Sequence, residues 1–211
     1  AAPLVLARPD AATLAGDEAL LRDVWSLLVG AHYRTTPDDL RVLLSAPNVR
    51  VHVARRGARV VGACVVALEG GFDPAEAAAI AAGGKTRRGH VLVDALASHM
   101  GIADAASLRW VRSVRLATVP AERRTGVGRA LVEDVHAAYG SHEDGVDAFG
   151  TVFGATPGLL GFRRALGYDV VRFSPGRGAR SGEPAVVLVR PVSARGRAVF
   201  DEARQAFARE T

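Results

Sequence analysis

Cysteine is nearly absent from this sequence. Cys64 is the only one in 211 residues, so no disulfide can form within the chain, and a reducing, cytoplasmic setting is expected. It sits in the apolar run VVGACVVAL, which marks it as a small buried core residue rather than a reactive thiol. The six histidines show no ligand spacing with it, so no metal site is expected. Long apolar runs are missing as well. None approaches the ~20 residues that span a bilayer, and no membrane partner is expected. Ala1-Ala2-Pro3 lacks the basic-then-apolar order of a secretion signal, and the missing initiator Met suits a piece of a longer protein. Lysine is the last shortage: Lys85 is the only one among 27 basic residues.

What is present is a chain with 49% hydrophobic residues, enough for a sizeable core. Its arginines suit phosphate recognition, because the guanidinium fork matches phosphate oxygens bidentately. A net charge of +5 spread over the whole length decides little about nucleic acid. The pattern along the chain is α/β. PLVLAR reads as a strand, and DEALLRDVWSLLVGAHY carries apolar residues at helical spacing. TTPDDLRVLLSA starts a second helix, with Thr36 as cap, Pro37 at the first position and Asp39 three residues after the cap. Two β-branched runs flank Arg56-Gly57 and predict an antiparallel hairpin. Residues 72–109 are Ala-rich and helical, broken by GGKTRRGH, and read as an insert between two strands. RWVRSVRLATV, VDAFGTVF, YDVVRFS and PAVVLVRPV follow as strands, with helices over GVGRALVEDVHAAYG and TPGLLGFRRALG. Residues 1–192 are expected to form the domain. Residues 193–211 are expected to be a polar helical tail leaving it toward a further region.

The stretch RLATVPAERRTGVGRALVEDV carries the chemistry. Gly126 and Gly128 stand where a strand turns into a helix. Glycine permits positive φ and close backbone approach. The first amides of a helix are unpaired and partly positive, so the turn favours an anion, most naturally a phosphate. Arg123, Arg124 and Arg129 surround it. The loop is not a nucleotide-binding P-loop, because Arg129-Ala130 stands where Lys and Ser/Thr belong. Nor is it a dinucleotide fingerprint, because Leu131 replaces the third glycine.

What fits is R-x-x-G-x-G, Arg123 to Gly128, after a strand ending in ATVP. It resembles the pyrophosphate loop of the GNAT acetyltransferases, and LGY after the next helix resembles their second hallmark. Longer stretches narrow the likeness: LLVGAHYRTTPDDLRVLLSAPNVRV, EGG, RRGH, FGATPGLLGFRRALGY and RSGEPAVVLVRP. In order, over most of residues 17–195, they resemble the acetyltransferase module of bacterial tRNA(Met) cytidine acetyltransferase. The resemblance implies a GNAT fold: a mixed central sheet with splayed middle strands, flanking helices and a helical insert. It implies acetyl-CoA as donor and the exocyclic amine of the wobble cytidine of elongator tRNA(Met) as acceptor. The acetyl-CoA contacts fall on Leu116, Ala117, Thr118, Arg123, Arg124, Thr125, Gly126, Val127, Gly128 and Arg129. An ATP-driven helicase module accompanies this one in the family. No G-x-x-x-x-G-K-[ST] occurs here, so ATP enters only if such a module is attached in a parent protein. A family Glu falls on Gly158, a family Arg on Ala165, and a family Trp on Arg163.

Direct attack by the poorly nucleophilic cytidine amine depends on positioning and on donors to the thioester oxygen. The Val119 backbone N–H is the leading expectation for that donor. His90, and less specifically Asp94, are candidates for the base; His90 and His99 flank the insert's helix. Lys85, Arg87, Arg88, Arg177 and Arg180 are candidates for RNA phosphate contacts. Two other readings stay open: a GNAT enzyme for a small-molecule or protein amine, and a non-catalytic acetyl-CoA-binding or RNA-docking domain.

Overall fold

A computed structural model describes residues 2–31, 35–84, 87–140, 145–177 and 182–210. The chain divides into two compact units, 1–67 with 113–138, and 68–112 with 139–211. The long strands β3 (Arg59–Gly70) and β4 (Arg109–Thr118) contribute residues to both.

In the first unit the strands run in the order β1-β2-β3-β4, with β1 at Leu4–Ala7 and β2 at Val49–Arg56. The expected hairpin is present: β2 and β3 pair antiparallel from Val49↔Ala67 to Arg56↔Arg59, and Gly57 takes φ 59° in the turn. Three helices precede it, α1 (Ala11–Gly16), α2 (Glu18–Ala31) and α3 (Pro37–Ser45). Side-chain caps start them. Asp10 accepts from the Thr13 amide at 2.7 Å, and Asp17 from the Leu20 amide at 2.9 Å. At α3 the capping box is reciprocal: Asp39 accepts from the Thr36 amide at 2.7 Å, and the Thr36 hydroxyl accepts from the Asp39 amide at 3.4 Å. Val24 and Leu28 of α2 are buried with Leu14, Leu43, Val51, Val53 and Val65, so the apolar stripe read from the sequence is the core face. Cys64 is fully buried, as expected.

A charged cluster is built into this unit beneath the helix α6 (Val127–Tyr139). His52 Nδ1 donates to Asp134 Oδ2 at 2.6 Å, and Arg8 reaches Asp134 Oδ1 at 2.7 Å. Burial pushes the His52 pKa below its ordinary value of 6.5, and the Asp134 carboxylate only partly offsets this. Burial pulls the Asp134 carboxyl up, but hydrogen bonds from Arg8 and His52 outweigh it and hold the group below its usual range. Both depressions have one sign: the unfolded chain binds protons the folded chain refuses. His52 therefore withdraws stability as pH falls below 6.5, and Asp134 does so in the carboxylate range. The urea midpoint followed through Trp25 of this unit should fall between about pH 8 and about pH 5, and a flat profile would contradict the arrangement.

In the second unit, β5 (Ala148–Gly154), β7 (Pro184–Pro191) and β6 (Asp169–Arg177) form an antiparallel set with β7 in the middle. The insert is helical, as the composition predicts, but in short pieces. These are α4 (Pro74–Ala81), α5 (Val91–Val93) continuing as a π-turn over Asp94–Ser98, and a 3₁₀ turn at Ala103–Ala106. Trp110 is buried among them and donates its Nε1–H to Ala105 O at 2.7 Å. At Gly70, with φ 77°, any Cβ would fall 1.9 Å from Leu108 O. The backbone therefore passes there only as glycine.

One expectation changes. The tail is helical, α8 (Ala194–Glu210), and over that length it packs on this unit. Val199 and Ala203 are buried in this unit's core, and Phe207 stacks 5.8 Å from Phe173. Arg204 donates to Val170 O at 2.9 Å. The four-residue spacing of 199, 203 and 207 makes one apolar stripe in an otherwise polar segment, and that stripe is what docks.

Candidate acetyl-donor site

The turn from β4 into α6 is the best-defined site of the first unit. After Pro120, the turn Pro120–Glu122 hands the chain to Arg123. Arg124 then adopts φ 63°, the only non-glycine residue with positive φ among those described, and Gly126 takes φ 95°. A long side chain in the left-handed region is held there at some cost, and such positions concentrate at ligand sites. The first bond of the helix is from the Ala130 amide to Gly126 O at 2.9 Å. The amides of Val127, Gly128 and Arg129 precede it and donate to no backbone carbonyl among the described residues. Three aligned donors thus end the helix where its dipole is positive.

The loop is braced from its other side. Glu122 Oε1 accepts from Arg56 Nε at 3.0 Å, and the Thr125 hydroxyl lies 2.9 Å from Oε2. The bond from Thr125 holds the Glu122 carboxyl below its usual range, with Arg56 adding to it. Its negative charge is thereby committed to Arg56 and Thr125. Arg123 and Arg124 are exposed and form no ion pair among the described residues, whereas Arg129 pairs with Glu133 at 3.0 Å. Beneath the helix start lies Gly62 of β3. A Cβ there would meet Val127 Cγ1 at 2.8 Å and Leu131 Cδ1 at 2.9 Å. Sequence reading passed over this glycine. Its position in an otherwise β-branched strand is the signal of close approach.

An open cleft of about 370 Å³ adjoins the loop. It is lined by Thr118, Val119, Pro120 and Arg123, by Arg59 and Val60 of β3, and by Asp23, Ser26 and Leu27 of α2.

The catalytic expectations need correction. The Val119 amide already donates to Val61 O at 2.9 Å, so it is not a free donor for a thioester oxygen. His90 is half-buried, and its Nδ1 accepts from the Gly70 amide at 3.0 Å. That bond fixes the neutral tautomer with hydrogen on Nε2, and burial lowers the pKa further. Neither ring nitrogen is left as a base. Asp94 begins the π-turn, accepts from Ser98 Oγ at 2.9 Å and lies 3.5 Å from His99 Nε2. Of the RNA candidates, Arg87 is paired with Glu76, and Arg88 is exposed. Lys85, Arg180 and the side chain of Arg177 lie outside the described residues. Gly158 stands in the first turn of α7 (Pro157–Arg164), with open space where a side chain would go, and Ala165 caps its end. Arg163 is buried, with its guanidinium 5.3 Å above the Tyr168 ring.

A second polar cluster, in the other unit, was not foreseen. Glu69 is fully buried at the end of β3. Its Oε1 accepts from Arg112 Nε, and its Oε2 accepts from the Leu92 and Val93 amides at 2.8 and 3.4 Å. The carboxylate anchors the start of the insert's second helix. Among the described residues, no group of three His, Cys, Asp or Glu side chains converges as metal ligands, and no helix is long and apolar enough to cross a membrane.

The family model GNAT acetyltransferase 2 matches residues 23–145, more than half of the chain and the whole of the β4–α6 turn. The chain belongs to this family. As a GNAT acetyltransferase domain it has relatives of greater length. It is 40% identical over 200 residues to the tRNA(Met) cytidine acetyltransferase TmcA of Nitrosococcus halophilus, covering 95% of this chain and 26% of that protein. It is 40% identical over 188 residues to the TmcA of Haloferax volcanii, covering 89% of the chain and 24% of that protein. The chain thus spans about a quarter of the length of these curated relatives. Among solved structures, the Drosophila melanogaster polyamine N-acetyltransferase aligns with a TM-score of 0.62 at 15% identity, over 90% of this chain and 100% of that one. The NatC complex bound to Gag peptide and CoA aligns with a TM-score of 0.59 at 12% identity, over 90% and 99%. At that identity these likenesses speak for the GNAT fold, with its α/β layering, and for nothing finer.

Proposed function

We propose that this GNAT domain transfers the acetyl group of acetyl-CoA to the exocyclic amine of a tRNA cytidine, as one module of a longer protein. The observation that carries the donor half is the run of unpaired amides at Val127, Gly128 and Arg129, entered through two residues with positive φ. A diphosphate matches those donors in charge, and Arg124 adds charge-assisted bonds. Leu116 to Thr118 lead directly into the loop, and in this reading their backbone receives the pantetheine arm. Acetyl-CoA, when bound, supplies the activated acyl group. The chain's own part is to hold the diphosphate and fix the thioester's position. Positioning matters because the cytidine amine's lone pair is delocalised into the ring.

The acceptor half rests on the names and the extent of the TmcA relatives. The wobble cytidine of elongator tRNA(Met) is the acceptor proposed, and a helicase module in the parent protein, with its ATP, belongs to the same proposal. Incubation with radiolabelled acetyl-CoA and either tRNA or a polyamine panel tests it. Label in cytidine after nuclease digestion is the expected result. Label only in polyamines would overturn the acceptor, and failure of CoA to bind in calorimetry would overturn the donor.

A further inference from the structure

The cleft beside the loop holds more charge than a diphosphate at the helix start can use. Arg59 opens β3 at the hairpin, is exposed, and forms no ion pair among the described residues. The carboxylate it influences, Glu122, is already taken by Arg56 and Thr125. Arg123 lines the same cleft, also without an ion pair among the described residues. In the same lining, α2 presents Asp23 and Ser26, both exposed. The cleft therefore offers both guanidinium forks and acceptors. That combination suits a ligand that carries both a phosphate and a free hydroxyl. The volume of about 370 Å³ is of the size that takes a small organic ligand rather than a lone ion.

We propose that this cleft is a second anion subsite, separate from the amides of the loop. In it Arg59 and Arg123 hold the phosphate of a phosphorylated ribose unit, and Asp23 and Ser26 accept from its free 2′-hydroxyl. The inference rests on the donor reading above for the neighbouring loop. A phosphorylated ribose has two sources in that reaction: the nucleotide end of the donor, and the backbone of an RNA acceptor.

The test uses the full chain, the Arg59→Ala variant and calorimetric or anisotropy titrations. The probes are CoA, 3′-dephospho-CoA, a short single-stranded oligoribonucleotide and its deoxy counterpart. Arg59→Ala is expected to weaken one phosphorylated probe about tenfold and to leave 3′-dephospho-CoA unchanged. Loss confined to CoA assigns the subsite to the donor's own ribose phosphate. Loss confined to the oligoribonucleotide, with its log–log salt slope reduced by about one, assigns it to the acceptor backbone. In that case Asp23→Ala should narrow the preference for ribose over deoxyribose. Unchanged affinity for every probe overturns the subsite while leaving the loop's role standing, since CoA still binds. Equal losses for CoA and 3′-dephospho-CoA also overturn it, because Arg59 would then serve the diphosphate. Failure of the unaltered chain to bind CoA is the separate result that overturns the donor reading itself.

Discussion

Replacing Glu69 with Ala is expected to destabilise the second unit by about 3–5 kcal/mol, the range for removing one partner of a buried ion pair. The change strands three groups at once. Arg112 loses the carboxylate it pairs with while only 10% of its side chain is exposed. The Leu92 and Val93 amides lose their acceptor at the start of α5. The cost is the desolvation of charge and amides left unpaired. Urea denaturation followed through Trp110, in a Trp25→Phe background, reads the unit in question. A loss below about 1 kcal/mol, the scale of an exposed pair, would show that the cluster is solvated and the account wrong. Replacing both Glu69 and Arg112 with apolar residues should cost less than removing Glu69 alone, because nothing charged is then left behind.

The second large effect concerns binding. Gly126→Val is expected to weaken CoA about 10- to 100-fold, the equivalent of the 1–3 kcal/mol that holding a non-glycine residue in a sparsely populated φ region costs. The surroundings do not contribute: no heavy atom stands within 4 Å of a Cβ placed there. The penalty comes from φ 95° alone, which a β-branched residue avoids by re-aiming the amides that follow. Calorimetry with CoA measures it, with the thermal midpoint as a check on folding. Affinity within about twofold of the original would remove the loop from the donor site.

The readable and unreadable parts of this chain divide by range of interaction. The capping box at Thr36 and Asp39, the hairpin at Gly57 and the helix start at Val127 involve residues a few positions apart, so their chemistry is written in consecutive letters. Cys64 was legible because its apolar neighbours share its strand. The Glu69–Arg112 pair was not: 43 residues separate the partners, and either alone looks like a solvated charge. His90 was misread for a related reason. Its sequence context, a basic stretch before a helix, says nothing of the Gly70 amide that fixes its tautomer. Val119 failed as a donor because β3 had already claimed its amide through Val61. The docking of α8 was missed because composition averages over a polar segment, whereas the single stripe at Val199 and Ala203 decides where it goes. At the turn before α6, the glycines and arginines were legible, but the left-handed Arg124 was not. No side-chain rule assigns that conformation to arginine.

The missing side chain of Gly62 has a consequence for how this loop can evolve. Because Val127 and Leu131 rest almost on bare backbone there, the height of the helix start is set from below, by the sheet. The exposed arginines of the turn can then change in charge and size without raising or lowering the three donors above them. A methyl group added under that floor would shift them all together, and would do so from a buried position.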